Sequence, residues 1–248
     1  MSGSPVVVEA SADRVVVTLN RPDVRNAIDQ RMVDDLHELC GTLESDPRVL
    51  LIRGSGGTFA AGADIAQLRE RRRDDALRGI NSGLFDRVRR LPMPTIALVE
   101  GYALGGGAEL AYACDFRLGT PTTKIGNPEP GLGILAAAGG TWRLAELVGE
   151  PVAKEILLAG RVLDADEAHT LRLLNEVVAA DDLPAAGHRW ADRITASAPI
   201  AVRLTKALFH APRDAHPLID DVAQAVLFEA TEKHDRMTAF LERRKEKK

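Results

Sequence analysis

Two glutamates twenty positions apart, Glu109 in Gly105-Gly-Gly-Ala-Glu109 and Glu129 in Gly126-Asn-Pro-Glu129, are the residues of this chain best suited to acid–base work. A third segment, Ala61-Gly62-Ala63-Asp64, stands at the start of a helical stretch. Main-chain N–H groups at such a start have no partner within the helix and can donate to an oxygen that gains negative charge. A paired acid and base beside such donors can add water across a double bond conjugated to a carbonyl, or move a proton next to that carbonyl. Glu109 alone reads as a helix-start charge and Glu129 alone as a turn residue after proline. Their joint occurrence with two glycine-rich stretches carries the catalytic reading.

Both glycine-rich stretches follow a β-rich run. Gly54-Ser-Gly-Gly-Thr-Phe-Ala-Ala-Gly-Ala-Asp64 comes after Val49 to Ile52, and Gly101-Tyr-Ala-Leu-Gly-Gly-Gly-Ala-Glu109 comes after Thr95 to Val99 and opens an apolar helix through Leu110, Ala111, Ala113 and Cys114. A helix beginning near Gly106 puts Glu109 in its first turn, where the helix dipole favours the carboxylate and burial opposes it. Arg14 to Leu19 reads as a further strand. Between it and the next strand, Met32, Val33, Leu36, Leu39, Cys40 and Leu43 follow a helical period, with Asp29 or Asn26 as the cap. Ile65 to Arg90 predicts exposed helices over a pocket, anchored by Leu68, Leu77, Leu84, Phe85 and Val88. From Glu150 onward the pattern is mostly helical, with Leu183, Ala186, Trp190 and Ile194 along one face.

The 248 residues are 45% hydrophobic and 27% charged, enough for one large domain with a sizeable core. A net charge of -4 argues against nonspecific nucleic-acid or membrane binding as the main task. Cys40 and Cys114 each sit in an apolar helical pattern, as packed free thiols in a reducing compartment do, and the six histidines lack zinc-type spacing. Neither a signal peptide nor a membrane span is read in the chain, so a cytoplasmic location is expected.

Four ordered motifs over nearly the full length resemble the crotonase superfamily, the enoyl-CoA hydratase/isomerase family. They are Leu19-Asn-Arg-Pro22 with Asn26-Ala27, Phe59-Ala-Ala-Gly-Ala-Asp64, Gly101 to Glu109, and Gly126-Asn-Pro-Glu129 followed by Gly139-Gly-Thr-Trp-Arg-Leu144. The resemblance implies an α/β fold, a spiral of repeated ββα units over residues 1–190, and a helical C-terminal region, 191–248, used in trimer formation. A homotrimer or a hexamer built as a dimer of trimers is the implied assembly. It further implies an enoyl-CoA hydratase, a carbon–oxygen lyase that converts trans-2-enoyl-CoA to 3-hydroxyacyl-CoA with no metal and no cofactor besides the coenzyme A of the substrate. Carried over by position, Ala63 and Gly106 supply the oxyanion N–H groups, Glu109 activates water for attack on C3, and Glu129 delivers a proton to C2. Ala61, Gly62, Ala63, Asp64 and Ile65 match the adenine-side loop, and Arg25 is the phosphate contact.

Two positions depart from the family pattern. Ala136-Ala137 stands where many relatives read Pro-Gly, which bears on water placement and keeps an enoyl-CoA isomerase or another crotonase-type lyase as the alternative; a non-catalytic acyl-CoA-binding protein is a further one. Arg172 stands where relatives commonly end a helix with glycine. Arg71-Arg72-Arg73 and the basic C-terminal tail read as solvated faces and receive no site role. Gly131-Leu-Gly-Ile-Leu-Ala136 matches a dinucleotide fingerprint by chance, since Pro128 and Pro130 occupy its would-be strand.

Overall fold

Strands whose every side chain is apolar need cover on both faces, and the two most apolar runs of the chain lie at the middle of a covered sheet. In a computed structural model, which describes residues 3–246, these are β3 (Val49–Gly54) and β4 (Thr95–Val99). Met1, Ser2 and the last two residues of the basic tail fall outside the described residues. The other strands are β1 (Val6–Ala10), β2 (Arg14–Leu19), β5 (Tyr102–Leu104), β6 (Phe116–Gly119), β7 (Lys124–Gly126), β8 (Val162–Asp164) and β9 (Glu176–Val177). One sheet has the order β1-β2-β3-β4-β6-β9 and a smaller one the order β5-β7-β8. The β1–β2 pair is antiparallel, and the rest of the large sheet is parallel.

The strands β4 and β6 of the large sheet each hand the chain to the small one. β4 turns at Glu100-Gly101 into β5 and then α5 (Gly106–Ala113); β6 leads likewise into β7. After β3, the stretch to Ala60 makes a parallel bridge to Ala103 before α2 (Ile65–Glu70). This repetition is the expected spiral of ββα units.

Side chains alternate across the large sheet. Leu50, Ile52, Ala97 and Val99 join the core formed with α1 (Gln30–Ser45), α4 (Ile80–Arg89) and α5, and α3 (Arg73–Leu77) lies in the exposed stretch between. Val49, Leu51, Ile96 and Leu98 face the opposite way, onto Leu183, Ala186 and Ala191 of α9 (Leu183–Thr195). The division expected after residue 190 falls inside this helix. Around them lie α6 (Gly140–Val148), α7 (Glu150–Ala159) and α8 (Ala165–Thr170), then α10 (Pro199–Leu208), α11 (Leu218–Phe228) and α12 (Thr231–Glu246). Lys206 on α10 is buried; its ammonium donates to Asp115 Oδ2 at 2.7 Å and to Met93 O at 3.0 Å, tying the C-terminal helices to the sheet.

The six periodic residues expected on α1 are its six buried ones. Asp29 is the cap, accepting from Met32 N at 2.8 Å. Asn26 is not: it is fully buried at φ 55, and its amide donates to Ser55 O and Thr58 O. Leu84, Phe85 and Val88 anchor α4 as expected, whereas Leu77 is 79% exposed and anchors nothing within this chain.

Candidate active site

The segment joining β5 to α5 builds one wall of the site. Gly105 adopts φ 52, and a side-chain carbon there would come within 3.1 Å of Glu129 Oε1. Gly107 presses α5 against the Ala60 carbonyl, where an added carbon would sit 2.1 Å from the oxygen, a separation only glycine permits. That close approach brings the two helix starts together. A carbon built on Gly106 would lie 3.5 Å from Ala63 N. Several neighbouring N–H groups are bonded: Ala61 to Arg25 O, Asp64 to Ile28 O, Gly105 to Gly126 O. Those of Ala63 and Gly106 have no hydrogen-bond acceptor among the described residues. Two unpaired donors therefore lie side by side on the cavity wall.

Glu109 projects from the first turn of α5 and is 4% exposed. Its Oε1 accepts from Ala138 N at 2.7 Å and Gly140 N at 2.9 Å, so the loop before α6 pins the carboxyl. Burial raises its pKa from 4.5 to about 7; the Glu129 charge adds to the rise, and the two N–H donors oppose it. Glu129 opens a short 3-10 turn, Glu129–Leu132, and burial raises its pKa also. The Tyr112 hydroxyl donates to Asn127 Oδ1 at 3.0 Å, which turns the Asn127 amide nitrogen toward Glu129 Oε1 at 3.4 Å. Glu129 Oε2 is buried without a partner among the described residues. A lone carboxylate oxygen aimed into a cavity is costly unless a ligand or water meets it.

Both glutamates line a cavity of about 570 Å³, together with Ala61, Gly62, Ala63, Ile65 and Gly106. Two of the expected residues stand off its wall. Asp64 caps α2 through Ala66 N and Gln67 N and pairs with Arg21 at 3.2 Å. Arg25 is exposed, and its carbonyl holds Ala61 N at 3.0 Å. Conversely, Arg71, Arg72 and Arg73, which the sequence reads as a solvated run, lie on the cavity wall. So do Leu132, Ile134 and Leu135. Ala137 lines the cavity at an ordinary backbone angle: the non-glycine residues with positive φ are Arg25, Asn26 and Arg172.

A family model described as enoyl-CoA hydratase/isomerase matches residues 9–247. The short-chain-enoyl-CoA hydratase of Clostridium acetobutylicum is 36% identical, over 97% of this chain and 95% of its own length. The crotonyl-CoA hydratase of Syntrophomonas wolfei is also 36% identical, over 99% of this chain and 98% of its own. Among solved structures, that of an enoyl-CoA hydratase from Bacillus anthracis superposes with a TM-score of 0.90 at 30% identity, covering 96% of both chains.

Proposed function

The chain belongs to the enoyl-CoA hydratase/isomerase family, and from that premise we propose that it adds water to a trans-2-enoyl-CoA to give a 3-hydroxyacyl-CoA. The thioester carbonyl oxygen sits between the N–H groups of Ala63 and Gly106, which stabilise it as it becomes an enolate oxygen. Glu109, ionised, takes a proton from water as the water oxygen bonds to C3. Glu129, protonated, gives its proton to C2 as the enolate collapses. Two like charges cannot both be held cheaply in a buried cavity, so the pair favours one proton shared between them, and the scheme draws on the form that carries it on Glu129. Proton transfer and oxyanion stabilisation suffice, and no metal or further cofactor enters.

The observation that carries the reading is the unpartnered Glu129 Oε2 in the cavity that also holds Glu109 and the two free donors. Ala137 does not favour isomerisation, since its backbone angle is one that alanine adopts freely. The adenine side of coenzyme A is assigned to Ala61, Gly62, Ala63 and Ile65, with Asp64 holding the loop through its cap; the exposed Arg25 and the Arg71–Arg73 run offer charge to its phosphates.

Val222, Val226 and Phe228 on α11 and Met237, Phe240 and Leu241 on α12 are exposed in the single chain. Contiguous apolar faces of this kind mark association, so we assign them to a homotrimer or a dimer of trimers. Among the described residues no helix is long and apolar enough to cross a membrane. Cys40 and Cys114 are buried free thiols, which suits the cytoplasmic location proposed here. A panel of enoyl-CoA thioesters, followed by loss of the conjugated-enoyl absorbance and product mass, tests the activity; sedimentation tests the assembly.

A further inference from the structure

Beyond Glu109 the cavity continues into a second lobe of about 220 Å³, which shares Ser82, Glu109, Ala137 and Ala138 with the first. An acyl chain held with C3 at Glu109 has its distal carbons here. Part of the wall is apolar, but Asp86, Arg89, Trp142 and Arg143 also face the lobe. The Arg89 guanidinium lies 4.8 Å from the centre of the Trp142 ring, with its side chain only 13% exposed.

Arg89 is the least closely matched charge around this lobe. Asp86 is shared between Arg89 at 3.3 Å and Arg90 at 2.8 Å, and Arg143 is matched by Glu146 at 2.9 Å. His210 meets Arg89 Nη1 through Nδ1 at 2.6 Å and Arg89 O through Nε2 at 3.1 Å. That arrangement suits a neutral imidazole accepting at Nδ1 and donating at Nε2, and burial followed by the Arg89 charge lowers the His210 pKa. Of the two guanidiniums on the wall, Arg143 is matched by Glu146, whereas Arg89 shares Asp86 with the closer Arg90. That weakly matched guanidinium is largely buried, where poor pairing costs most. Glu109 also lines the lobe and, ionised in the hydration scheme, is its second carboxylate.

Resting on the hydratase reading, we propose that the distal lobe receives an anionic end group, and that the substrate class is a short trans-2-enoyl-CoA whose acyl chain ends in a carboxylate. Arg89 is the specificity-determining residue. The carboxylate meets the Arg89 guanidinium at the edge of the Trp142 ring, in a lobe too small for a long alkyl tail.

The test compares two CoA thioesters of the same shape: trans-2-hexenedioyl mono-CoA, which ends in a carboxylate, and trans-6-methyl-2-heptenoyl-CoA, which ends in an isopropyl group. The expected kcat/KM ratio favours the carboxylate by about 10- to 100-fold, the scale of a hydrogen-bonded charge. Arg89→Met collapses that ratio toward one, and Arg89→Lys retains part of it, as a merely structural contact with His210 would not require. Equal or better use of the isopropyl substrate by the wild-type enzyme overturns the proposal, as does a preference that survives Arg89→Met. Calorimetric binding of the saturated pair, adipoyl-CoA and 6-methylheptanoyl-CoA, reads the same preference without turnover. An enzyme that binds adipoyl-CoA preferentially but hydrates no thioester contradicts the hydratase reading and the substrate class, and leaves only the anion-accepting lobe standing.

Discussion

The main-chain N–H of Ala138 donates to Glu109 Oε1 at 2.7 Å, so the loop after Glu129 fixes the carboxyl carried by α5. With Gly140 N on the same oxygen, Oε1 is occupied and Oε2 remains for water. The two carboxyls of the proposed acid–base pair are thereby tied to each other's chain segments.

The raised Glu109 pKa has a stability consequence with a definite sign. Folded and unfolded chains both hold this proton below about pH 4.5, so nothing is lost there; stability falls as pH rises from about 4.5 to about 7, by up to about 3 kcal/mol in all. Glu109→Gln keeps an acceptor for both N–H groups and removes the charge. Its melting temperature should match the wild type at pH 4 and exceed it at pH 8, as thermal scans at the two pH values will show.

Glu109→Gln and Glu129→Gln should each lower kcat about 10²- to 10⁴-fold while leaving acyl-CoA binding largely intact. The double variant should fall far short of the product of the two losses, because the groups act as a unit. Steady-state kinetics on the three variants decide it; near-wild-type turnover by either single variant removes that residue from the mechanism.

Gly106 is the first residue of α5, a position where proline is accommodated, so Gly106→Pro deletes the N–H with little cost to the helix. Turnover should drop at least about 10²-fold with an unchanged circular dichroism spectrum. Normal turnover would place the carbonyl oxygen elsewhere.

Tyr112 is a positioning residue for Glu129. Tyr112→Phe removes the hydroxyl that sets the Asn127 amide, freeing that amide to turn its oxygen toward Glu129. The expected result is a loss of kcat of about 10-fold with KM little changed, and a displaced Glu129 limb in the pH–rate profile. A purely structural tyrosine would change stability and leave the profile in place.

Arg172 sits at φ 62 just past α8, a conformation that costs an L side chain roughly 1 kcal/mol and glycine little. Arg172→Gly should be neutral to stabilising in urea melts despite the added freedom of the unfolded chain. A clear destabilisation would mean that the arginine side chain contributes more than the strain costs.

The parts legible in the sequence were those in which a single segment carries the information. The strands β2, β3 and β4, the buried face of α1 and the glutamate on the first turn of α5 follow from local period and glycine placement. What escaped depends on distant partners. Asn26 reads as a cap until the carbonyls of Ser55 and Thr58 arrive beside it. Tyr112 draws no notice in the sequence because nothing local points to the Asn127 oxygen that its hydroxyl reaches. Arg71 to Arg73 read as solvent-facing because only the fold shows which side of that stretch borders the cavity. The same holds for Arg89 and Trp142, far apart in sequence and stacked in the distal lobe.

The most direct test of hydration is to incubate the enzyme with trans-2-enoyl-CoA thioesters, crotonyl-CoA and trans-2-hexenedioyl mono-CoA, in water enriched in oxygen-18. The account predicts loss of the conjugated-enoyl absorbance and a 3-hydroxyacyl-CoA carrying the heavy oxygen on C3. Enoyl thioesters that remain unchanged, from an enzyme that instead converts 3-enoyl-CoA to 2-enoyl-CoA without taking up oxygen from water, would contradict it.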